Sequence, residues 1–137
     1  MNATQPYILV VDDMADAADS LAELLILSGY DAEPLYSGAA ALEAARARRP
    51  DAVLFDLGMP GMSGLQFALR LRDLPGCAAI PTVAITGYQT LRLQARELGI
   101  DYYLLKPIMD LGLFLKLLGR LTTSTEPSQA LVKPRCP

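Results

Sequence analysis

Short apolar runs alternate along this chain with longer segments in which apolar residues recur every three or four positions. These runs cover residues 7–11, 52–55, 80–85 and 102–105. Each run predicts a strand that is buried on both faces of a parallel sheet. A further extended stretch contains Pro34. Because proline cannot donate a hydrogen bond to a strand ladder, Pro34 places this stretch at an edge of the sheet.

Five segments with helical spacing of apolar residues follow the strands in turn, and we interpret them as helices. Gly29 marks the end of the first helix. Ser37, Ser63 and Asp110 stand where they would cap the second, third and fifth helices, and Gln66 gives Ser63 the spacing of a capping box. The predicted helices span residues 17–27, 38–48, 64–72, 91–98 and 111–121.

The alternation predicts a single doubly wound α/β domain, in which right-handed crossovers place helices on both faces of a five-stranded parallel sheet. The length of 137 residues fits one domain. The edge position of the second strand fits the flavodoxin-like strand order 2-1-3-4-5. We predict that the domain covers residues 1–121 and that residues 122–137 form a flexible polar tail.

Composition narrows the chemistry that such a domain can perform. There is no histidine, which excludes serine–histidine–aspartate catalysis and histidine metal ligands. The formal net charge of −3 provides no basic field, so we expect neither nucleic acid nor a membrane as a direct partner.

Cys77 and Cys136 are interpreted as free thiols. No signal peptide and no apolar run near the ~18 residues of a membrane span is visible, so we expect a cytoplasmic location.

The candidate chemistry lies in the residues that directly follow the predicted strands. Asp12 and Asp13 end the first strand, Asp56 the third, Thr86 the fourth and Lys106 the fifth. Parallel strands end at one edge of the sheet, where such folds bind ligands. Clustered carboxylates repel one another unless a cation intervenes, and hard oxygen ligands suit Mg²⁺. Since a lysine and a hydroxyl would stabilise phosphoryl oxygens, the sequence predicts a Mg²⁺-dependent phosphoryl site with an aspartate nucleophile.

Each of these residues has a simpler interpretation when it is taken alone. Asp13 can cap the first helix, and Asp56 can be a turn residue. Thr86 can be an ordinary strand-end residue, and Lys106 can belong to a solvated turn. The combination favours the phosphoryl site, because the neighbouring Asp12 and the distant Asp56 are not needed by a helix cap.

Four short motifs make this chain resemble the receiver domains of response regulators in two-component signalling, which include the chemotaxis regulators. They are Val10-Val11-Asp12-Asp13, Leu54-Phe55-Asp56-Leu57-Gly58-Met59-Pro60-Gly61-Met62-Ser63-Gly64, Ile85-Thr86-Gly87-Tyr88 and Leu104-Leu105-Lys106-Pro107. The resemblance extends from Tyr7 to Leu121. It implies a signalling module that phosphorylates and slowly dephosphorylates itself, not an enzyme with an external product.

The resemblance implies how the phosphoryl group and the metal are bound. Asp56 is the implied phospho-acceptor. Asp13, Asp56 and the backbone carbonyl of Gly58 are the implied direct ligands of Mg²⁺, and Asp12 acts largely through water. The implied donor is a phosphohistidine on a partner histidine kinase or histidine phosphotransfer protein. The sequence names neither this kinase nor the output protein.

The resemblance also assigns the residues that respond to phosphorylation. Thr86 and Lys106 would contact the phosphoryl oxygens. Tyr103 would be the aromatic residue whose rotation accompanies the movement of Thr86, with Tyr102 as the competing candidate. The resemblance implies that the Lys106-Pro107 peptide bond is cis. An X-Pro bond favours trans by only ~0.5–1 kcal/mol, so a loop can hold the cis form and direct Lys106 at the site.

One spacing departs from the family pattern. Lys106 lies 20 positions after Thr86. The family usually has about two residues more, so we predict a trimmed connection before the helix at residues 91–98.

The last predicted helix is more apolar than its packing requires. Its core stripe is expected to consist of Leu111, Phe114, Leu115, Leu118 and Leu121. Leu113 and Leu117 remain on a neighbouring face. They predict a weak homodimer through the fourth helix, the fifth strand and the fifth helix. The alternative is that both leucines only cover the core beneath the tail.

Two other functions compete with a phosphorylation switch. A haloacid-dehalogenase-like phosphatase also uses a strand-end aspartate with Mg²⁺, but it requires a second aspartate two positions later, where this chain has Gly58. A constitutive interaction module that has lost phosphorylation would not need all five strand-end residues. Turnover of a generic phosphatase substrate and the response to a phosphoryl donor separate these alternatives.

Overall fold

A computed structural model describes residues 5–87 and 100–123 of the chain. The strands are β1 (Tyr7–Val11), β2 (Asp31–Leu35), β3 (Ala52–Phe55), β4 (Thr82–Thr86) and β5 (Tyr102–Leu105). The helices are α1 (Ala15–Leu27), α2 (Gly38–Ala47), α3 (Gly64–Asp73) and α4 (Leu111–Thr123). The predicted helix at residues 91–98 and residues 124–137 of the predicted tail lie outside the described residues. The assignment of Thr122 and Thr123 to the tail is wrong, because both residues continue the last helix.

The five strands form one parallel sheet in the order β2-β1-β3-β4-β5, which confirms the predicted topology. Pro34 lies in β2, at the edge of this sheet. An edge strand has only one neighbouring strand. The missing N–H of Pro34 therefore removes no hydrogen bond on the other side of β2.

The helix boundaries follow the predicted caps. The hydroxyl of Ser37 accepts a hydrogen bond from the N–H of Ala40, and Ser63 and Gln66 form a complete capping box. The carboxylate of Asp110 accepts a hydrogen bond from the N–H of Leu113 at 2.9 Å. These side chains satisfy N–H groups that have no partner within the helix.

Two apolar clusters cover the sheet, one on each face. One packs α2 and α3 against residues such as Val53 and Phe55. The other packs α1 and α4 against residues such as Val10 and Leu54. The predicted arrangement of helices on both faces is therefore confirmed for the helices that the structure describes.

The prediction for the α4 core stripe is correct except at its first position. Phe114 and Leu118 are buried, and Leu115 and Leu121 pack against the same cluster. Leu111 is 41% exposed, so its assignment to the core is wrong. It is the first residue of α4 and lines the cavity beside α1, so its side chain stays accessible from that cavity. No helix within the described ranges is long and apolar enough to cross a bilayer.

Candidate functional site

The strand register brings the predicted site residues to one edge of the sheet. Val11 pairs with Phe55, so Asp12 and Asp56 leave two adjacent strands at the same level. At the other side of the sheet, Thr86 pairs with Leu105, and Lys106 follows directly. Neighbouring parallel strands lie ~4.8 Å apart, so this register alone brings Asp12 and Asp56 within reach of each other.

Three carboxylates form the centre of this edge. One oxygen from each of Asp12, Asp13 and Asp56 lies within 4.8 Å of the others. The side chains of Asp12 and Asp56 are only 10% and 13% exposed, whereas Asp13 faces solvent. The cluster is therefore open to solvent at Asp13.

Lys106 spans the two less exposed carboxylates. Its Nζ donates to Asp12 Oδ2 at 3.0 Å and to Asp56 Oδ2 at 3.1 Å. Burial by itself lowers the pKa of Lys106, but hydrogen bonds and charge attraction from Asp12 and Asp56 outweigh it, so the net shift is upward. Lys106 therefore stays an ammonium ion at neutral pH. The Lys106-Pro107 peptide bond is cis, as predicted.

Asp12, not Asp13, serves the start of α1. Asp12 Oδ1 accepts a hydrogen bond from the N–H of Met14 at 3.0 Å. Met14 is the N-cap of α1, with no side-chain cap bond. The simpler interpretation of Asp13 as a helix cap is therefore not what the structure has. Among the described residues, none makes a hydrogen bond or ion pair with the Asp13 carboxylate, which leaves it available as a ligand.

The backbone after β3 fixes the orientation of Asp56. Its Oδ1 accepts a hydrogen bond from the N–H of Gly58 at 3.0 Å, two residues along the chain. Gly61 has a φ of +75°, a conformation that suits glycine. Gly64, the first residue of α3, lies directly against the backbone of Asp56 and Leu57. A Cβ at Gly64 would come within 2.5 Å of Leu57 Cα and closer still to the Asp56 carbonyl oxygen.

The charge balance of the cluster fits a divalent cation. Three carboxylates face one ammonium group, which leaves a formal excess of two negative charges. The donors are hard oxygen atoms, which Mg²⁺ and Ca²⁺ prefer. Mg²⁺ commonly takes one or two carboxylates and keeps several waters, which suits the open position at Asp13.

Tyr102 and Tyr103 lie on opposite faces of β5. Tyr103 packs against the cluster beneath α2 and α3, and Tyr102 packs against the cluster beneath α1 and α4. The backbone of Thr86 ends β4, and Tyr103 pairs with Ala84, two residues before it. The predicted coupling of Tyr103 to the side chain of Thr86 stays a prediction, since that side chain lies outside the described residues.

An apolar cavity of about 440 Å³ adjoins the acidic cluster between α1 and α4. Leu21 and Leu24 of α1 line one side, and Ile108 and Leu111 line the other. The periodicity of α1 and α4 indicates that both helices cover the sheet, but it does not give the gap between them. The sequence also contains no signal that Gly38 and Gly64 lie against the residues after Asp56.

The fold and the site define a doubly wound α/β domain. Its acidic, lysine-bridged centre lies at the carboxyl ends of β1 and β3, where the order of the strands along the sheet reverses. The sequence profile of the response regulator receiver domain matches residues 8–117. The chain belongs to this family and is a receiver domain of two-component signalling. Receiver domains are signalling modules.

Named relatives and solved structures agree with this assignment. The chain is 36% identical over 132 residues to the DNA-binding response regulator MtrA of Mycobacterium tuberculosis. The aligned region covers 96% of this chain and 58% of MtrA. It spans about half the length of the curated relatives it matches. Chemotaxis protein CheY4 of Vibrio cholerae has a TM-score of 0.80 at 26% identity, covering 86% of this chain and 99% of that chain.

A further solved relative bears on the metal. It is the receiver domain of a sensor histidine kinase from Pseudomonas aeruginosa, described with a magnesium ion coordinated in its active site cleft. Its TM-score is 0.77 at 27% identity, covering 89% of this chain and 100% of that chain. The acidic cluster of the present chain has donors of the kind that such an ion requires.

Proposed function

We propose that this receiver domain accepts a phosphoryl group on Asp56 from a phosphohistidine of a partner histidine kinase or phosphotransfer protein. The observation that carries the proposal is the juxtaposition of Asp12, Asp13 and Asp56 with Lys106 at the carboxyl edge of the sheet. Mg²⁺ would be held by Asp13, Asp56 and the carbonyl of Gly58, with Asp12 nearby. It would supply positive charge for the phosphoryl oxygens.

The proposed transfer uses groups that are already held in place. A carboxylate oxygen of Asp56 attacks phosphorus, the bond from phosphorus to the donor imidazole breaks, and the imidazole nitrogen keeps the electron pair. Lys106 lies 3.1 Å from Asp56 Oδ2, so its ammonium group can donate to a phosphoryl oxygen after small movement. Thr86 is proposed as a second donor, and its movement with Tyr103 as the switch.

The same centre would return the domain to its resting state. Water attacks the aspartyl phosphate, releases inorganic phosphate and regenerates the carboxylate of Asp56, so no external product arises. A phosphatase of the haloacid-dehalogenase type is less compatible with this site. The position two residues after Asp56 is Gly58, which donates its N–H to Asp56 and offers no carboxylate for a leaving group.

Removal of the metal provides the first test. In excess Mg²⁺, acetyl phosphate or phosphoramidate is expected to add one phosphoryl group, and a chelator is expected to abolish uptake. The reason is that the excess negative charge would otherwise repel the incoming anion. Intact-mass spectrometry measures the uptake.

Asp13→Asn serves as a companion to the chelation experiment. It removes the most accessible carboxylate but leaves Asp56, and it should raise the Mg²⁺ concentration for half-maximal uptake by about tenfold or more. Equal uptake with and without chelator would contradict the proposed metal site. So would an Asp13→Asn variant with the wild-type Mg²⁺ dependence.

The proposed output is a protein–protein contact on the face of β5 and α4. An apolar groove of about 560 Å³ lies between them, lined by Leu104, Pro107 and Leu117 among others. Leu113 is 63% exposed and Leu117 is partly buried. We propose that this face, with the predicted helix at residues 91–98, forms a symmetric homodimer that phosphorylation strengthens.

Sedimentation with and without beryllofluoride tests the dimer. The dimer fraction should rise with beryllofluoride, and Leu117→Glu should remove that rise because it buries a charge at the interface. Glu43→Gln on α2, remote from this face, is the matched control and should dimerise like the wild type. A monomer at high concentration in both states would exclude the dimer.

MtrA is named as a DNA-binding regulator, and it is longer than this chain. We propose that the residues of this chain do not themselves contact DNA. Its net charge of −3 supports that expectation, because phosphate contacts need a basic surface. DNA as an output partner of a longer protein remains compatible with this proposal.

We also propose a cytoplasmic location, where kinases of this pathway present their phosphohistidine.

A further inference from the structure

The segment after Asp56 carries both a proposed metal ligand and an anchor. We call residues 57–63 the acceptor loop, which connects β3 to α3. Gly58 lies near its start and donates to Asp56, and Met62 lies near its end. Met62 is partly buried and packs against the cluster beneath α2 and α3. Displacement of Met62 would therefore be transmitted along a short loop to the position of Gly58.

The first residue of α2 lies directly against this anchor. Gly38 is buried, and a Cβ at this position would lie 2.8 Å from Met62 Sδ and 3.3 Å from both Met62 Cβ and Cγ. Ser37 caps the helix through the N–H of Ala40, so the start of α2 is itself held in place. The contact brings together two segments that follow different strands, β2 and β3.

The atoms involved decide what a side chain at Gly38 would do. Met62 Sδ belongs to a flexible side chain and can move away by rotation. Met62 Cβ cannot move without its backbone, and a contact of 3.3 Å is tighter than normal van der Waals packing. A larger residue at Gly38 therefore presses on the backbone of the acceptor loop.

Helix propensity by itself predicts that Gly38→Ala would stabilise α2. Alanine is more favourable than glycine in a helix interior by about 1 kcal/mol, mainly because glycine loses more conformational entropy on folding. The φ of Gly38 is not positive, so its backbone does not require glycine. The close approach of Met62 is the structural reason for glycine at this position.

We propose that Gly38 is a positioning residue for the metal site: its missing side chain lets Met62 seat the acceptor loop against α2. The proposal rests on the proposed function, because the loop matters through the carbonyl of Gly58 and the orientation of Asp56. It adds that α2, which contributes no ligand, tunes the affinity for Mg²⁺ through one side-chain contact.

The test is a double-mutant cycle on Mg²⁺ binding, measured by calorimetry without any phosphoryl donor. Gly38→Ala is expected to weaken Mg²⁺ binding by about tenfold, as changes just outside the direct ligands commonly do. In a Met62→Gly background, which lacks Met62 Cβ, Cγ and Sδ, the same substitution should change binding less than about twofold, because all three atoms that it meets are gone.

A control variant and the double variant separate a positioning role of Gly38 from a general effect on the fold. Gly112→Ala makes the same change in the first turn of α4, where the nearest atom is Asp110 Oδ1 at an ordinary 3.7 Å. It should leave Mg²⁺ binding unchanged. If Gly38→Ala does not fold, the double variant with Met62→Gly should both fold and bind Mg²⁺.

The outcomes are distinguishable. A wild-type chain that binds no Mg²⁺ overturns the proposed function and this inference with it. Wild-type binding together with equally tight binding by Gly38→Ala overturns this inference alone. So does a loss of binding that persists at full size in the Met62→Gly background.

Discussion

Asp56→Asn is expected to abolish phosphoryl uptake from acetyl phosphate in the presence of Mg²⁺. The amide is nearly isosteric with the carboxylate, and its oxygen can still accept the hydrogen bond that Gly58 donates at 3.0 Å. It lacks the negative charge and the nucleophilic oxygen that attack on phosphorus requires. The change thus removes the chemistry while it keeps the local backbone geometry.

The fold is expected to tolerate this substitution. Lys106 keeps its partner Asp12 at 3.0 Å, and the removal of one carboxylate relieves repulsion within the cluster. Circular dichroism should therefore give the wild-type unfolding midpoint or a slightly higher one.

A second carboxylate provides the control for Asp56→Asn. Asp110→Asn removes a carboxylate that caps α4, and asparagine caps helices about as well as aspartate. It should accept phosphoryl groups like the wild type. Intact-mass spectrometry of the three proteins after the same incubation makes the comparison. Uptake by Asp56→Asn at the wild-type level would show that Asp56 is not the acceptor.

Gly64→Ala is expected to have the largest effect on stability. The new Cβ would lie 2.5 Å from Leu57 Cα and closer still to the carbonyl oxygen of Asp56. Both are backbone atoms, so no rotation of a side chain relieves the clash. Overpacking of this kind typically costs 1–3 kcal/mol and sometimes more, so we expect a loss of about 3 kcal/mol in the free energy of unfolding.

The same variant should also impair the site, because the displaced atoms belong to Asp56 and its neighbour. Urea unfolding measures the stability, and Mg²⁺-dependent uptake below the unfolding transition measures the site. Gly112→Ala again serves as the matched control. It should keep the wild-type stability or raise it by up to about 1 kcal/mol, because its Cβ would make only an ordinary contact and alanine favours the helix. A Gly64→Ala variant as stable as the wild type would contradict the close approach of α3 to β3.

Gly64 and Gly38 show why part of the site could not be predicted. Tight turns are the simplest explanation for the glycines after Asp56, but among Gly58, Gly61 and Gly64 only Gly61 has a positive φ. Gly64 and Gly38 instead fit close approaches between segments that are distant along the chain or separated by a loop. Such distances depend on how helices settle on the sheet, and periodicity does not encode them.

The assignments at Asp12, Asp13 and Lys106 follow the same division. Strand ends could be located from apolar runs, and parallel strands end at one edge, so the convergence of these residues was predictable. The partner of each charge was not. Asp12 holds the N–H of Met14 and Lys106 bridges Asp12 and Asp56, leaving Asp13 exposed. These pairings depend on the rotamers that fit once the strands are aligned.

Three features could be predicted from the amino-acid sequence alone: the strand order, the caps of α2, α3 and α4, and the edge of the sheet that carries the carboxylates. Each of these depends on local patterns: apolar periodicity, Pro34 in β2, and capping residues such as Ser63. The folded chain was needed to show that Leu111 is exposed, that Gly38 and Gly64 closely approach residues after β3, and that Lys106 bridges two carboxylates. Those features are distances between separate elements, and they are set by the packing of side chains across the sheet, which no local pattern specifies.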